Sequence, residues 1–514
     1  MILVIHHNNA LVKILNKDRE EISHAIEKDL VSLLFSIAKS HPNQLILWCN
    51  RVYADYLNFD DIGQIFHHPK VMASYSVSKK SYLPPQIGYV EDSPFINVKY
   101  DVSYPTWLMS SDVGGVSAQV LNALNPKNFK ESDLDLFLNS FAKKAMPTGL
   151  LCYSTPELLL GNMKSKIEGV EASNFQLYKF VKEHYKTHWV FFLFLASIVF
   201  ERKFHFFSFI ASFFYPRKNI NTAALSKVQI LPKKINNETK TIDVIIPTIG
   251  RKSFLYDVLC DLKSQTHLPV RVIVVEQNPD KESVSELDYL YDKVWPFAIK
   301  HIFTHRAGAC NARNIALSYT ESEWVFLADD DNRFNTFLIA DVFKKIDTYG
   351  NKVATTAYPQ KGEIIQDKNV VQWPTFGAGN SFVKRDLLEN IKFNTSFEFG
   401  YGEDTDFGMQ LRNKGIDVLY FPEPHIVHLK APMGGFRTKP VFEWQDDVDQ
   451  PKPSPTIMLH RQKHTTPFQL KGYKVLLLLR FYNKQQVKNP FGYLRKMKRS
   501  WNSSLVWANK LDRQ

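Results

Sequence analysis

Three consecutive carboxylates, Asp329, Asp330 and Asp331, close the apolar run Trp324-Val325-Phe326-Leu327-Ala328. Crowded carboxylates repel one another and resist burial unless a cation shares the space, so the pattern points to a divalent metal clamp at a strand end. A second acidic set, Glu403-Asp404-Thr405-Asp406, lies between Phe399-Gly400-Tyr401-Gly402 and Phe407-Gly408-Met409. A lone His428 follows the strand-like Val418-Leu419-Tyr420-Phe421. A metal-ligand set, a separate carboxylate on a glycine-rich loop and a late histidine are what a metal-dependent group transferase needs.

Such groups must be held by regular elements, and the surrounding pattern supplies them. Residues 242–246 read as a strand, Pro247-Thr248-Ile249-Gly250 as a turn, 253–264 as a helix and 270–275 as a second strand ending at Glu276. That is a β-α-β unit, hence a parallel sheet in an α/β fold. Ligands of open parallel sheets sit at the carboxyl ends of strands, where Pro247-Thr248, Glu276-Gln277-Asn278 and the Asp329–Asp331 triplet fall. Between them, Arg306-Ala307-Gly308-Ala309-Cys310-Asn311-Ala312-Arg313-Asn314 opens a helix with small residues and two arginines, a place for a phosphate-bearing ligand.

Taken in order, Val244-Ile245-Ile246-Pro247-Thr248, the 308–314 segment with Ala-Arg-Asn, the triplet and Gly402-Glu403-Asp404-Thr405-Asp406-Phe407 resemble the family-2 glycosyltransferases of GT-A fold. The resemblance covers 241–435, under half the chain. It implies a mixed, mostly parallel nucleotide-sugar-binding sheet and an inverting transfer from a nucleotide-diphosphate sugar donor. It also implies that Pro247, Thr248 and Glu276 line the base and ribose pocket, that Arg313 holds the donor side, and that Asp329 and Asp331 hold Mn²⁺ or Mg²⁺.

The chemistry agrees, because a divalent ion neutralises a departing diphosphate without proton transfer. Asp331 is expected to coordinate directly, Asp329 to act on the ribose or through water, and Asp330 to face outward. The acceptor hydroxyl needs a base apart from the metal set, which makes Asp404 the expected base and Glu403 an acceptor or loop-fixing group. Gly400 and Gly402 would let that loop approach a sugar closely. Asp404 also fits a helix N-terminal carboxylate, with Asp406 the better pure cap. His428, beside Met433-Gly434-Gly435, resembles the family's late metal-binding histidine next to a mobile loop; His425 is the weaker rival. Trp373 and Gly377-Ala378-Gly379-Asn380 would form acceptor-side and donor-sugar walls, as in the family, although a lone tryptophan also fits a core.

The first half repeats this grammar without the chemistry. Leu45-Ile46-Leu47-Trp48-Cys49-Asn50-Arg51-Val52 stands where Trp324 to Asp331 would, so the triplet has become Asn-Arg-Val. Farther on, 112–117 resembles 377–381, 132–138 resembles 403–409 and 150–157 resembles 418–423. The piece before residue 45 is shorter than its counterpart. The expectation is a degenerate GT-A-like copy in tandem, a pseudo-glycosyltransferase lacking part of the nucleotide-binding half, with Asp133 at the place of the base.

Length and charge complete the picture. At 514 residues the chain is too long for one core. The expected divisions are a degenerate domain at 1–160, a helical apolar segment and linker at 161–240, the catalytic domain at 241–435 and a basic, aromatic-rich extension at 436–514. Cys49, Cys152, Cys260 and Cys310 are far apart and form no CxxC pair, and the start lacks a signal-peptide pattern, which points to a reducing cytoplasmic location. The net charge of +12 sits mostly from Lys471 onward, where eleven basic residues face Asp512 alone. Interleaved aromatic residues there favour a membrane surface over nucleic acid, with a packed helical tail as the other reading. Residues 189–200 and 204–215 are apolar runs too short to span a bilayer, which fit either an interfacial pair at the inner face of the cell membrane or a buried helical pair. The acceptor would be a glycan or a lipid-linked intermediate. Against this stand a non-catalytic carbohydrate-binding scaffold and a nucleotidyltransferase; the latter fits Pro247-Thr248-Ile249-Gly250-Arg251 poorly, because it wants a glycine-rich basic loop there.

Overall fold

A computed structural model describes residues 1–23, 27–129, 131–161, 169–218, 221, 223–230, 240–431, 441–484 and 489–513. Met433-Gly434-Gly435 and residues 219, 220, 222 and 231–239 of the expected linker lie outside them. The chain divides into two compact units, Met1–Leu231 with Thr465–Leu477, and Pro232–His464 with Leu478–Gln514.

The N-terminal unit carries β1 (Ile2–His7), β2 (Ala10–Leu15), β3 (Leu45–Asn50), β4 (Val71–Tyr75), β5 (Tyr104–Pro105), β6 (Val113–Ser117) and β7 (Leu151–Ser154), in the sheet order β2-β1-β3-β6-β4-β7-β5. The C-terminal unit carries β8 (Ile242–Thr248), β9 (Arg271–Gln277), β10 (Ala298–Thr304), β11 (Trp324–Ala328), β12 (Asn332–Arg333), β13 (Val353–Thr356), β14 (Val371–Gln372), β15 (Asn380–Lys384), β16 (Leu419–Phe421) and β17 (Val427–His428). Its main sheet runs β10-β9-β8-β11-β15-β13-β16-β14, and β12 pairs with β17 apart from it.

In the C-terminal unit β8, β9 and β11 are β-branched or aromatic runs buried almost throughout, as strands covered on both faces by helices must be. From β8 the chain steps outward to β9 and β10, then returns to β11 on the other side of β8. This reversal leaves a crevice at the carboxyl ends of β8 and β11, the place where open α/β sheets bind ligands. The two strands end at Thr248 and at the triplet.

The two sheets share one plan. The run β1-β3-β6-β4-β7-β5 corresponds strand for strand to β8-β11-β15-β13-β16-β14, and every neighbouring pair has the same sense. The hairpin strand β2 occupies the edge where the second unit has β9 and β10, so among the described residues the shorter first copy has no counterpart of those two outer strands.

Register fixes the correspondence by residue. Leu45 pairs with Ser117 and Cys49 with Val113, as Trp324 pairs with Lys384 and Ala328 with Asn380. Asn50, Arg51 and Val52 therefore fall on Asp329, Asp330 and Asp331. Asp133 is not at the place of the base: it caps the helix Leu134–Ala145, accepting from Leu136 N–H. The counterpart of Asp404 is Asp135, which accepts from Ser111 N–H at 2.7 Å, as Asp404 accepts from the Ala378 backbone; both donors lie two residues before the matching strand positions. The Ser111 hydroxyl also donates to Asp135 at 2.7 Å and closes that carboxylate off.

The 189–215 region is neither wholly buried nor wholly exposed. The helix His188–Ala196 buries Val190, Phe192, Leu193 and Ala196, while Phe191 and Leu195 are exposed. The chain turns at Arg202 and enters the helix Phe206–Ser212, leaving Phe207 and Phe214 80% and 84% exposed. Among the described residues no helix is long and apolar enough to cross a membrane. In the C-terminal extension Tyr493, Met497 and Trp501 of the helix Pro490–Leu511 are buried in protein, which removes those two aromatic residues from any lipid-facing set.

Candidate active site

The crevice holds a cavity of about 530 Å³ whose walls include Pro247, Thr248, Arg313, the whole triplet, Glu403, Asp404 and His428. Each group arrives by its own element. Thr248 ends β8, and Arg313 projects from the helix Ala309–Leu317. Asp404 sits in the first turn of the helix Glu403–Arg412, whose cap is Gly402. His428 is brought in by the β12–β17 pair, in which it faces Asn332, the residue after the triplet.

The three aspartates have three different surroundings. Asp331 is buried; its Oδ2 accepts from Ala431 N–H at 2.9 Å and lies 3.3 Å from Arg251 Nη1. Its Oδ1 has no closer donor than His428 Nε2, which stands 3.5 Å away at the outer limit of a hydrogen bond. Burial favours the protonated acid, but His428 and the Ala431 N–H outweigh it and hold the carboxyl below its usual range. Asp329 accepts from Arg313 Nη2 at 2.9 Å and from the Tyr358 hydroxyl at 3.3 Å. Asp330 does not face outward: it is buried, accepting from the Thr248 hydroxyl at 2.7 Å and from Arg251 Nη1 at 2.5 Å. Burial pushes it up to about 6 despite these donors. A guanidinium from the loop after β8 turns the middle carboxylate inward, so it locks that loop to the strand end.

Asp404 stands apart from these ion pairs. The residue is half-buried, yet its Oδ1 is closed from solvent and has no hydrogen-bond partner. Burial pushes its carboxyl up to about 7; Arg313 pulls it down, and neighbouring Glu403 and Asp329 push it up. Glu403 is also raised, first by burial. The buried Arg313 guanidinium is the shared counter-charge, kept protonated against burial by Asp329, Asp404 and Glu403.

Several expected residues lie elsewhere or are already engaged. Glu276 is not in the cavity wall; it accepts from Ser285 Oγ at 2.5 Å, Glu286 N–H at 3.1 Å and His301 Nε2 at 2.9 Å, while its neighbour Gln277 reaches the cavity. Trp373 stacks on Tyr420 at 4.4 Å within the core and is not in the wall either. Asn380 is in the wall, but its Nδ2 is bonded to the Thr356 carbonyl at 2.5 Å. His425 is paired with Glu423, outside the cavity wall. Asp406 is not the expected cap: buried, it accepts from His464 Nε2 and Gln410 Nε2, each at 2.7 Å, and Gly402 caps the helix without a side-chain bond. His464 closes the extension's helix Pro455–His464, so the extension braces the helix that carries Asp404.

Wall residues that were not foreseen include Arg251, Tyr358, Glu398 and Lys430. Tyr358 stacks flat on His428 at 4.4 Å and fixes the imidazole plane. Glu398 accepts from the N–H groups of Cys310 and Asn311, both at 3.0 Å, and so occupies the amino end of the Ala309–Leu317 helix. Only a signal for contacts between distant residues could have found these, since each partner lies far away in sequence.

Asp331 and His428 present a carboxylate oxygen and an imidazole nitrogen to one spot, which fits a divalent ion. Among the described residues no three His, Cys, Asp or Glu side chains converge as a metal cluster; Asp331 and His428 face one spot, and Asp329 is held aside by Arg313 and Tyr358. Such a half-site suits an ion that takes its remaining ligands from water and substrate phosphates.

Gly379 is packed so closely on Asp329 that a Cβ there would lie 2.0 Å from Oδ2. Gly379→Ala is therefore expected to displace Asp329 from Arg313 and to lower kcat/KM about 10²-fold, the effect of a misplacement of about 1 Å, as steady-state kinetics would show.

Residues 243–402 match the family described as Glycosyl transferase family 2. No curated protein matches the chain at a significant level. Similar solved structures include Staphylococcus aureus TarS, at 19% identity over 37% of this chain and 37% of that one, with a TM-score of 0.31. TarS 1-349 in complex with UDP-GlcNAc is 16% identical over 52% of this chain and 74% of that one, with a TM-score of 0.34. The mannosyltransferase PcManGT from Pyrobaculum calidifontis, in complex with GDP-Man and Mn²⁺, is 14% identical over 55% of this chain and 88% of that one, with a TM-score of 0.32. The match to Glycosyl transferase family 2 over 243–402 thus falls on the strand plan of the C-terminal unit, whose switch point holds the cavity.

Proposed function

We propose that the C-terminal unit transfers a sugar, with inversion, from a nucleotide-diphosphate donor to a hydroxyl of a glycan or lipid-linked acceptor, with Mn²⁺ or Mg²⁺ held by Asp331 and His428. The observation that carries this reading is the up-shifted Asp404 carboxyl with its Oδ1 left unpartnered, in one cavity with the Asp331–His428 pair but not ion-paired to it. A base must be near neutral in pKa and close to the acceptor proton, and Asp404 meets the first demand by its burial.

Thr248 and Pro247 at the end of β8, with Gln277 at the end of β9, form the wall for the nucleoside, and Arg313 with Asp329 orients the donor beside it. Bound at Asp331 and His428, the divalent ion would neutralise charge on the departing diphosphate. Asp404 takes the acceptor's hydroxyl proton as its oxygen bonds to the anomeric carbon. The electron pair of the broken carbon–oxygen bond leaves with the nucleoside diphosphate, from the opposite face. Glu403 and Arg313 set the charge around Asp404. The N-terminal unit, with Asn50-Arg51-Val52 in place of the triplet and Asp135 closed by Ser111, is a pseudo-glycosyltransferase in this reading. Proton NMR of the product at first turnover tests the stereochemistry: the anomeric configuration opposite to the donor's is expected, and retention would reject the single-displacement role of Asp404.

The exposed phenylalanines of the N-terminal unit, Phe204, Phe207 and Phe214, stand among exposed Arg202, Lys203 and Arg217. Apolar rings rimmed by cations fit the headgroup layer of an anionic bilayer, which supports a peripheral site at the cytoplasmic face of the cell membrane. Phe207→Ala with Phe214→Ala should abolish flotation with phosphatidylglycerol vesicles; undiminished flotation would remove this contact.

A further inference from the structure

A second hollow opens beside the first in the C-terminal unit. It holds about 470 Å³ and shares Ala307, Glu398 and Phe399 with the cavity of Asp404. Its far wall comes from the extension, where Phe442 and Trp444 stack at 4.6 Å and 14°, and Trp444 meets the Trp507 ring at 5.8 Å and 59°. The Trp507 indole is fixed by its N–H, which donates to Asp447 at 2.6 Å. All three rings are partly open to solvent. Glu443 and Lys510, an exposed ion pair, form the rim, and Lys510 Nζ lies 4.4 Å over the Trp507 ring.

Partly exposed flat rings edged by a carboxylate, an ammonium and the hydroxyls of Thr395 and Ser396 combine two chemistries. A pyranose presents C–H groups on its faces and hydroxyls around its edge, so it stacks on the first and bonds to the second. The volume is that of a small-molecule site, roughly 300 to 1,000 Å³. At the junction of the two hollows Phe399 adopts φ 60°, a left-handed conformation unfavourable for a bulky side chain. Backbone strain of this kind gathers at ligand sites, and here it falls on a residue four positions before Glu403.

We propose that this aromatic groove binds a saccharide portion of the acceptor and leads its terminal hydroxyl past Phe399 toward Asp404. The proposal rests on the glycosyl-transfer reading of the neighbouring cavity. It also gives the extension a substrate role that Trp373, stacked on Tyr420, does not fill.

The test uses the full chain with maltohexaose, chitohexaose and hexamannuronate as probes, followed by saturation-transfer NMR and tryptophan fluorescence. At least one probe is expected to bind, and Trp444→Ala is expected to raise its Kd about tenfold, the scale of one lost ring contact. UDP or GDP titration and thermal unfolding of the variant report whether the donor cavity and the fold are retained. Lys510→Ala trims the exposed rim, should weaken the same probe, and serves if Trp444→Ala does not fold. Binding of no probe by the wild-type chain, or binding indifferent to both substitutions, overturns the proposal. Acceptor-independent release of nucleoside diphosphate is read in parallel on the wild-type chain. Its absence with groove binding intact rejects the transfer reading alone, and its presence with groove binding indifferent rejects the groove alone.

Discussion

Asp404→Asn is expected to lower kcat for transfer by about 10² to 10⁴, the usual contribution of a positioned general base. Nucleotide binding should survive, because Arg313 keeps its bond to Asp329 at 2.9 Å. The pH dependence follows from the raised carboxyl. Burial puts Asp404 at about 7, so the base form dominates only above that value, and kcat of the wild-type chain should fall tenfold per unit as pH drops below it. Stability moves the other way. The folded pKa exceeds the ordinary 3.8, so the folded chain binds a proton that the unfolded chain has lost throughout the interval between them. Folding stability from this group therefore declines as pH rises from about 4 to 7. Asp404→Asn, which has no charge to bury, should unfold at a higher temperature than wild type at pH 8 and lose that advantage near pH 4. Calorimetry and initial rates on the same two proteins check both halves. An inactive variant with no stability gain at pH 8 would point to a structural role for Asp404.

Asp331→Ala is expected to cost the most. It removes the buried carboxylate whose Oδ1 has no protein donor and which shares its spot with His428 Nε2, and a lost metal site withdraws several kcal/mol of charge stabilisation at the leaving group. At about 1.4 kcal/mol per decade this corresponds to at least about 10³ in kcat/KM. His428→Ala keeps one ligand and should instead raise the Mn²⁺ concentration needed for half-maximal rate. Tyr358, stacked on the imidazole, positions it, so Tyr358→Leu should show a milder form of the same shift. Titration of the rate with Mn²⁺ separates the three variants. Equal metal dependence in wild type and His428→Ala would remove the histidine from the site.

Patterns carried by the backbone were legible in the chain. An apolar run ending in carboxylates gave the strand Trp324–Ala328 and its site, because burial on both faces demands such a run and strand ends collect polar residues. The second copy was readable for the same reason: Asn50-Arg51-Val52 falls on the triplet in both sequence order and sheet register. What could not be read was set by partners distant in sequence. Asp330 turns inward because Arg251 reaches it from 79 positions away. The counterpart of Asp404 in the first unit is Asp135 rather than Asp133, because a donor at Ser111 selects the second residue of the helix over its cap. Glu276 fits a ribose ligand by position, yet His301 and Ser285 take its oxygens first. The aromatic residues of the extension resembled a membrane-facing set, whereas Trp501 packs in the core and Trp507 turns toward a groove beside the active site.

The central claim is that the triplet-bearing unit breaks a sugar–diphosphate bond. The most direct measurement is nucleoside-diphosphate release from a panel of nucleotide sugars by the purified chain with Mn²⁺ or Mg²⁺, repeated with EDTA and with Asp331→Ala. Release from at least one donor is expected, lost in both controls. Release from none of them, or release unchanged by EDTA and by Asp331→Ala, would contradict it.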